Sequence, residues 1–145
     1  MNPRTFAIIC FTSTRFETKV SDLDIFDHHY NLYEMYDYYN QLCFNNQLRP
    51  AQLLWSRQMR AAAGICEFVG TRSGRFAKPI TIRLSLPLLS FRSEYDITNV
   101  LLHEMIHALQ FQQGIFEPWG GHGRVFMMEA MRINSYFGFH ITQYH

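Results

Sequence analysis

The run Val100-Leu101-Leu102-His103-Glu104-Met105-Ile106-His107-Ala108-Leu109 leaves this chain few ways to fold. It holds neither glycine nor proline, and as a helix it advances about 100° per residue. His107 then sits roughly 40° around from His103 and one turn further on, with Glu104 in the same third of the circumference. Two imidazoles one turn apart can hold a metal ion from one side. The carboxylate between them falls beside the ion, where a water sits. This H-E-x-x-H spacing is that of two zinc ligands and a general base on one rigid rod. Val100, Leu101, Met105, Ile106, Ala108 and Leu109 supply the apolar surface that buries such a helix against a core. Three fixed residues in five recur by chance, and a buried helix whose histidines bond to backbone accounts equally well for the run. The remaining sequence has to decide.

A catalytic ion needs a third protein ligand and an open position. His122 is the best candidate, set in Gly120-Gly121-His122-Gly123 beyond a turn at Glu117-Pro118-Trp119. Glycines on both sides let the backbone approach closely. His140, His145, Glu117 and Glu129 are the alternatives. For the group that stabilises an oxyanion, Tyr95, Tyr136 and Arg132 are candidates of equal weight.

Around this centre the chain reads as mixed helix and strand. Asp24 or Asp27 caps a helix running to about Asn46, with Leu32, Met35, Tyr36, Tyr39, Leu42 and Cys43 at helical spacing towards the core. Three strand-like runs follow, Gln52 to Met59, Gly64 to Val69 and Ile80 to Leu84. Pro87 precedes a short helical turn, Leu88 to Phe91. The central helix starts at Ser93 or Asp96 and ends at Gly114. A last helix, about Arg124 to Phe137, carries Phe126, Ala130, Ile133 and Phe137 on one face and is closed by Gly138. Residues 1–26 read as an N-terminal arm or extra strand, and residues 27–145 as one domain of ample size for a core.

The net charge of +1 predicts nothing, but its distribution is uneven. Between Arg49 and Arg92 lie eight basic residues against one acid, Glu67, whereas Val20 to Leu48 holds five acids and no Lys or Arg. Such a bipolar chain suits a polyanion-facing surface, and equally a solvated sheet face beside an acidic helix. The glycine-rich loop Gly70 to Pro79 offers Arg72, Arg75 and Lys78 to a phosphate backbone. Cys10, Cys43 and Cys66 form no C-x-x-C pair, so reduced thiols are expected rather than a disulfide framework or a cysteine zinc site. The apolar run Phe6 to Phe11 is too short for a signal peptide, and no run reaches the length of a membrane span. The expectation is a soluble chain that is not secreted.

Taken in order, these pieces resemble the SprT/Spartan metalloprotease family over roughly Asp27 to His145. Tyr39-Asn40 with Phe44 and Leu48 is similar to the family's first-helix pattern. Trp55-Ser56 with Met59, then Ala63-Gly64-Ile65-Cys66, resembles its sheet signature. Ile82-Arg83-Leu84-Ser85 with Pro87-Leu88-Leu89 resembles the segment leading into the active-site helix, here Leu101 to Ala108. Gly121-His122-Gly123 with Phe126, then Arg132-Ile133-Asn134-Ser135 and Gly138, resembles the third-ligand helix. Several motifs in one order are far more specific than H-E-x-x-H alone.

The resemblance implies an α+β, zincin-like metalloprotease domain, with a sheet of three or more strands packed on an active-site helix and two further helices. It implies a Zn2+ cofactor held by His103, His107 and His122, with Glu104 as the catalytic base. It implies a nuclear endopeptidase that degrades proteins crosslinked to DNA, with DNA, here expected to be single-stranded, as the activating partner. We read the chain as a monomer. Arg124-Val125 stands where the family has proline-glutamate, and these residues show no counterpart of its small cysteine-bearing zinc subdomain. Two other readings remain: a DNA-binding module whose zinc site is structural or inactive, and a general zinc peptidase without a DNA role. The intact Glu104 argues against the first, and the modest net charge keeps the second.

Overall fold

The computed structural model describes residues 4–8, 30–70 and 79–144 of the chain, the first of these through its backbone. The elements run β1 (Arg4–Ile8), α1 (Leu32–Phe44), β2 (Gln52–Ser56), β3 (Gly64–Gly70), β4 (Thr81–Ser85), α2 (Leu86–Leu89), α3 (Glu94–Gln112), α4 (Pro118–Gly121) and α5 (Arg124–Phe137). Arg72, Arg75, Lys78, Asp24, Asp27, Cys10 and His145 lie outside the described residues.

Helix α1 begins at Leu32, not at the expected aspartates. Asn31 is extended, and its side chain accepts from the Tyr33 and Glu34 N–H groups, so two of the helix's unpaired donors are met there. Leu32, Tyr36 and Cys43 face the core as their spacing predicts, but Leu42 is exposed. Asn40 is buried in its neighbourhood. Its amide donates to the Leu48 carbonyl at 3.0 Å and accepts the Leu48 N–H at 3.1 Å, closing the chain after the helix.

The strands form one sheet in the order β1-β3-β4-β2. β2 lies parallel to β4, while β3 is antiparallel to both β4 and β1. β2 ends at Ser56, three residues before the expected Met59, because the Ser56 hydroxyl accepts from the Gln58 and Met59 N–H groups and turns the chain away. The short helix after β4 is likewise shifted. It spans Leu86–Leu89 rather than Leu88 to Phe91, with Ser85 as its cap and Pro87 in the first turn, where no N–H is needed. Across β3 and β4, Arg83 meets Glu67 at 2.5 Å. A part-exposed pair of this kind contributes at most about 1 kcal/mol, but it neutralises one cation of the basic stretch.

Helix α3 starts at the Ser93 cap, with Glu94 and Asp96 favourably placed in its first turn, and the chain leaves it through Gly114 at φ 70°. Every residue from Val100 to Phe111 is buried. The expected apolar surface is buried as foreseen, and more widely: α3 is a central rod packed on β3 and β4, α1 and α5, so its polar side chains are enclosed with the apolar ones. Its polar residues consequently open into the protein. α5 buries Phe126, Ala130 and Ile133 and stops at Gly138, φ 73°. The chain then folds back along α3. The Asn134 side chain accepts the Ile141 N–H at 2.7 Å and donates to the Ile141 carbonyl at 3.0 Å, and Asn99 accepts the His140 N–H at 2.9 Å. Among the described residues no helix is long and apolar enough to cross a membrane.

Candidate metal centre

The inward face of α3 brings His103 and His107 together, one turn apart, and His122 meets them from the entrance to α5. The Nε2 atoms lie 3.2 Å (His103 to His107), 3.1 Å (His107 to His122) and 2.9 Å (His122 to His103) apart, and all three residues are buried. Among the described residues they form the only cluster of three or more metal-type ligands.

The opposite ring nitrogens explain why the Nε2 atoms converge. His103 Nδ1 lies 2.7 Å from the Thr142 carbonyl, His122 Nδ1 2.9 Å from the Trp119 carbonyl, and His107 Nδ1 3.1 Å from Gln110 Oε1. Carbonyl oxygens only accept, so each Nδ1 carries the proton and each neutral ring presents a bare Nε2. Three lone pairs at this spacing repel one another unless a cation sits among them. A tetrahedral ion with bonds of about 2.0–2.1 Å separates its ligand atoms by about 3.3 Å, close to what is found. The donor set therefore fits a metal ion held by three imidazoles. The ring of Phe126 floors the cluster, with centroids 4.7, 4.9 and 4.7 Å from His103, His107 and His122.

His122 is delivered by backbone strain. Trp119, Gly120 and Gly121 take φ of 57°, 67° and 84°, so α4 is a left-handed turn. Gly120 and Gly121 supply positive φ at no cost. Trp119 bears about 1–2 kcal/mol for the same conformation. Its carbonyl accepts from both the His122 N–H and Nδ1, and at about 0.5–1.5 kcal/mol each these bonds offset the strain. The Trp119 ring is 78% exposed and, with Tyr144, 67% exposed, flanks a pocket of about 260 Å³ that opens onto His122.

Glu104 is 0% exposed. It lies in the seam between α3 and β3, where a Cβ on Gly64 would stand 2.9 Å from its Cγ and 3.0 Å from Oε1. Gly64→Ala is therefore expected to cost about 1–3 kcal/mol of stability, as an overpacked site does, with zinc affinity little changed; a urea denaturation midpoint equal to that of the unaltered chain would contradict this. Burial holds the nearby Cys66 thiol well above its ordinary pKa, the Glu104 charge adding to the effect, and burial pushes Cys43 up to about 11. Both are inert thiols.

Of the alternative ligands, His140, Glu117 and Glu129 lie outside the cluster, and His145 is not among the described residues. His140 is exposed and lines a separate pocket of about 360 Å³ with Leu89, Tyr95, Val100 and Thr142. Glu129 pairs with Arg132 at 2.5 Å, and Glu117 bonds to the start of α5. Of the oxyanion candidates, Arg132 is engaged by Glu129 and the Cys43 carbonyl, Tyr95 donates to the Gly138 carbonyl, and Tyr136 is exposed. The Thr142 and Trp119 carbonyls and the Gln110 amide were not legible as site groups. Phe126 was legible as a core residue through its spacing, but not as the floor beneath the histidines.

Fold and site together define a small α+β domain with a three-histidine metal-type centre, set between its central helix and the entrance to its last. The chain belongs to the SprT-like family, whose profile matches residues 32–145. It is 37% identical over 142 residues to the DNA-dependent metalloprotease SPRTN of Danio rerio, covering 95% of this chain and 22% of that protein. The Homo sapiens protein of the same name is 39% identical over 115 residues, covering 79% and 22%. The DNA-dependent metalloprotease dvc-1 of Caenorhabditis elegans is 42% identical over 102 residues, covering 70% and 27%. The chain thus spans about a quarter or less of the length of these relatives.

Proposed function

We propose that this domain is a zinc-dependent endopeptidase of zincin type, activated by DNA and directed at proteins crosslinked to it. The observation that carries the proposal is the convergence of three bare Nε2 atoms beside a helix that also bears Glu104. A closed structural zinc site takes four protein ligands, whereas three gather here among the described residues, which favours an open, catalytic position. The relatives' name, DNA-dependent metalloprotease, supports the DNA requirement. A nuclear location and a monomeric state accord with this reading.

His103, His107 and His122 would hold the ion. Zinc, when bound, supplies Lewis-acid chemistry, polarising the scissile carbonyl and lowering the pKa of water to about 7. Glu104 takes the proton of the attacking water on a carboxylate oxygen and hands it to the leaving amine. The Thr142 and Trp119 carbonyls and Gln110 keep the Nδ1 protons in place, so the imidazoles stay neutral and aimed.

The test is cleavage of a DNA-binding protein by the zinc-loaded chain, with and without a single-stranded oligonucleotide. Cleavage is expected only with DNA. Three phosphate contacts from Arg72, Arg75 and Lys78 give an affinity that falls about 20-fold between 50 and 200 mM salt. Cleavage independent of DNA, with a flat salt response, would instead establish the general peptidase.

A further inference from the structure

His107 is tied to the start of α5 by a chain of hydrogen bonds. Its Nδ1 donates to Gln110 Oε1 at 3.1 Å, and Gln110 Nε2 donates to Glu117 Oε1 at 2.6 Å. Glu117 then spans the first turn of α5: Oε2 accepts the Val125 N–H at 2.8 Å, and Oε1 accepts the Phe126 N–H at 2.9 Å. Gln110 is 1% exposed. The cap position of α5 is Gly123, which has no side chain to meet these donors, so a carboxylate from the preceding loop does so. Gly123 is also the one residue that fits, since a Cβ there would stand 2.5 Å from Glu117 Oε2.

The chemistry of this chain runs in one direction. A carboxylate only accepts, so Gln110 turns its NH2 to Glu117 and its carbonyl to His107. That carbonyl also only accepts, so the His107 proton stays on Nδ1 and Nε2 faces the cluster bare. Glu117 also holds the Phe126 N–H, and the Phe126 ring floors all three imidazoles. One carboxylate thus orients His107 through an amide and sets the register of α5, on whose threshold His122 stands.

We infer that Gln110 and Glu117 are positioning residues for the metal, a carboxylate–amide–imidazole relay that couples the ligand on α3 to the helix entrance that delivers the third. This rests on reading the cluster as a zinc site. Carboxylates placed behind ligating histidines raise metal affinity by fixing tautomer and aim, and here a buried amide carries the effect one residue further.

The test measures Zn2+ affinity of the 145-residue chain by competition with a chromophoric chelator. The visible spectrum of the Co2+-loaded protein and the melting temperature of the metal-free protein are recorded beside it. Glu117→Gln is expected to weaken zinc about 10–100-fold and to shift the cobalt bands. The double swap Gln110→Glu with Glu117→Gln is expected to recover affinity to within about threefold, because the new carboxylate at position 110 accepts directly from His107 and the new amide at position 117 donates to it. Gln110→Met leaves the helix cap in place and carries the same expected loss if Glu117→Gln does not fold. A Glu117 that merely caps α5 would lower the metal-free melting temperature and leave affinity within about twofold in every variant, and that result overturns the relay. So does a double swap as weak as Glu117→Gln alone. An unaltered chain that binds no zinc defeats the site itself, whereas tight binding shared equally by all variants defeats only the relay.

Discussion

Glu104→Gln is expected to lower cleavage by about 10²–10⁴-fold, the usual contribution of a general base, while zinc content is unchanged. The amide matches the carboxylate in shape, so the seam between α3 and β3, where the side chain lies against Gly64, keeps its packing. An amide cannot take up a proton from water at neutral pH. His103 and His107 lie on the same buried helix and His122 at the entrance to α5, but all three owe their orientation to Thr142, Gln110 and Trp119, none of which the substitution touches. Single-turnover cleavage and metal analysis on one preparation check both halves. Cleavage at the unaltered rate by a zinc-loaded Glu104→Gln protein ends the assignment of the base.

His122→Ala should separate metal binding from folding. Zinc binding to a four-ligand structural site is worth about 10–16 kcal/mol, on the order of 3 kcal/mol per ligand, so losing one imidazole weakens the ion by about a hundredfold or more. Zinc at a thousand times its dissociation constant stabilises a fold by about 4.1 kcal/mol; a hundredfold loss at the same concentration leaves about 1.4 kcal/mol. The metal-free fold has little to lose, because the substitution also removes one of three mutually repelling lone pairs. Thermal melts with and without zinc should therefore show a large zinc-induced rise in the unaltered chain and a small one in the variant. An equal rise in both would remove His122 from the ligand set.

Both expectations begin with patterns readable before any fold is known. The α3 run was legible because its chemistry and its helical period are both local: His103, Glu104 and His107 share a face through spacing alone. Its ends were legible for the same reason, Ser93 as a cap and Gly114 as a left-handed exit, and so were Arg124–Phe137 and Gly138. Where the reading slipped, a hydrogen bond between a polar side chain and the backbone outweighed the apolar pattern. Ser56 ended β2 early by bonding forward to Met59, and Asn40 took an inward position through Leu48. β2 pairing in parallel with β4, with β3 on the far side of β4, is a choice among strands that their alternation does not encode.

By itself, then, the sequence determined the bounds of α3 and α5, the mixed α and β character and the three histidines worth watching, because side-chain identity and spacing carry that information. Only the tertiary structure decided how those histidines are aimed. Two of the three acceptors that lock their Nδ1 protons are backbone carbonyls, of Thr142 and Trp119. Every residue type has a carbonyl, so it leaves no mark in the sequence until the chain folds back and brings it to within 3 Å of a ring.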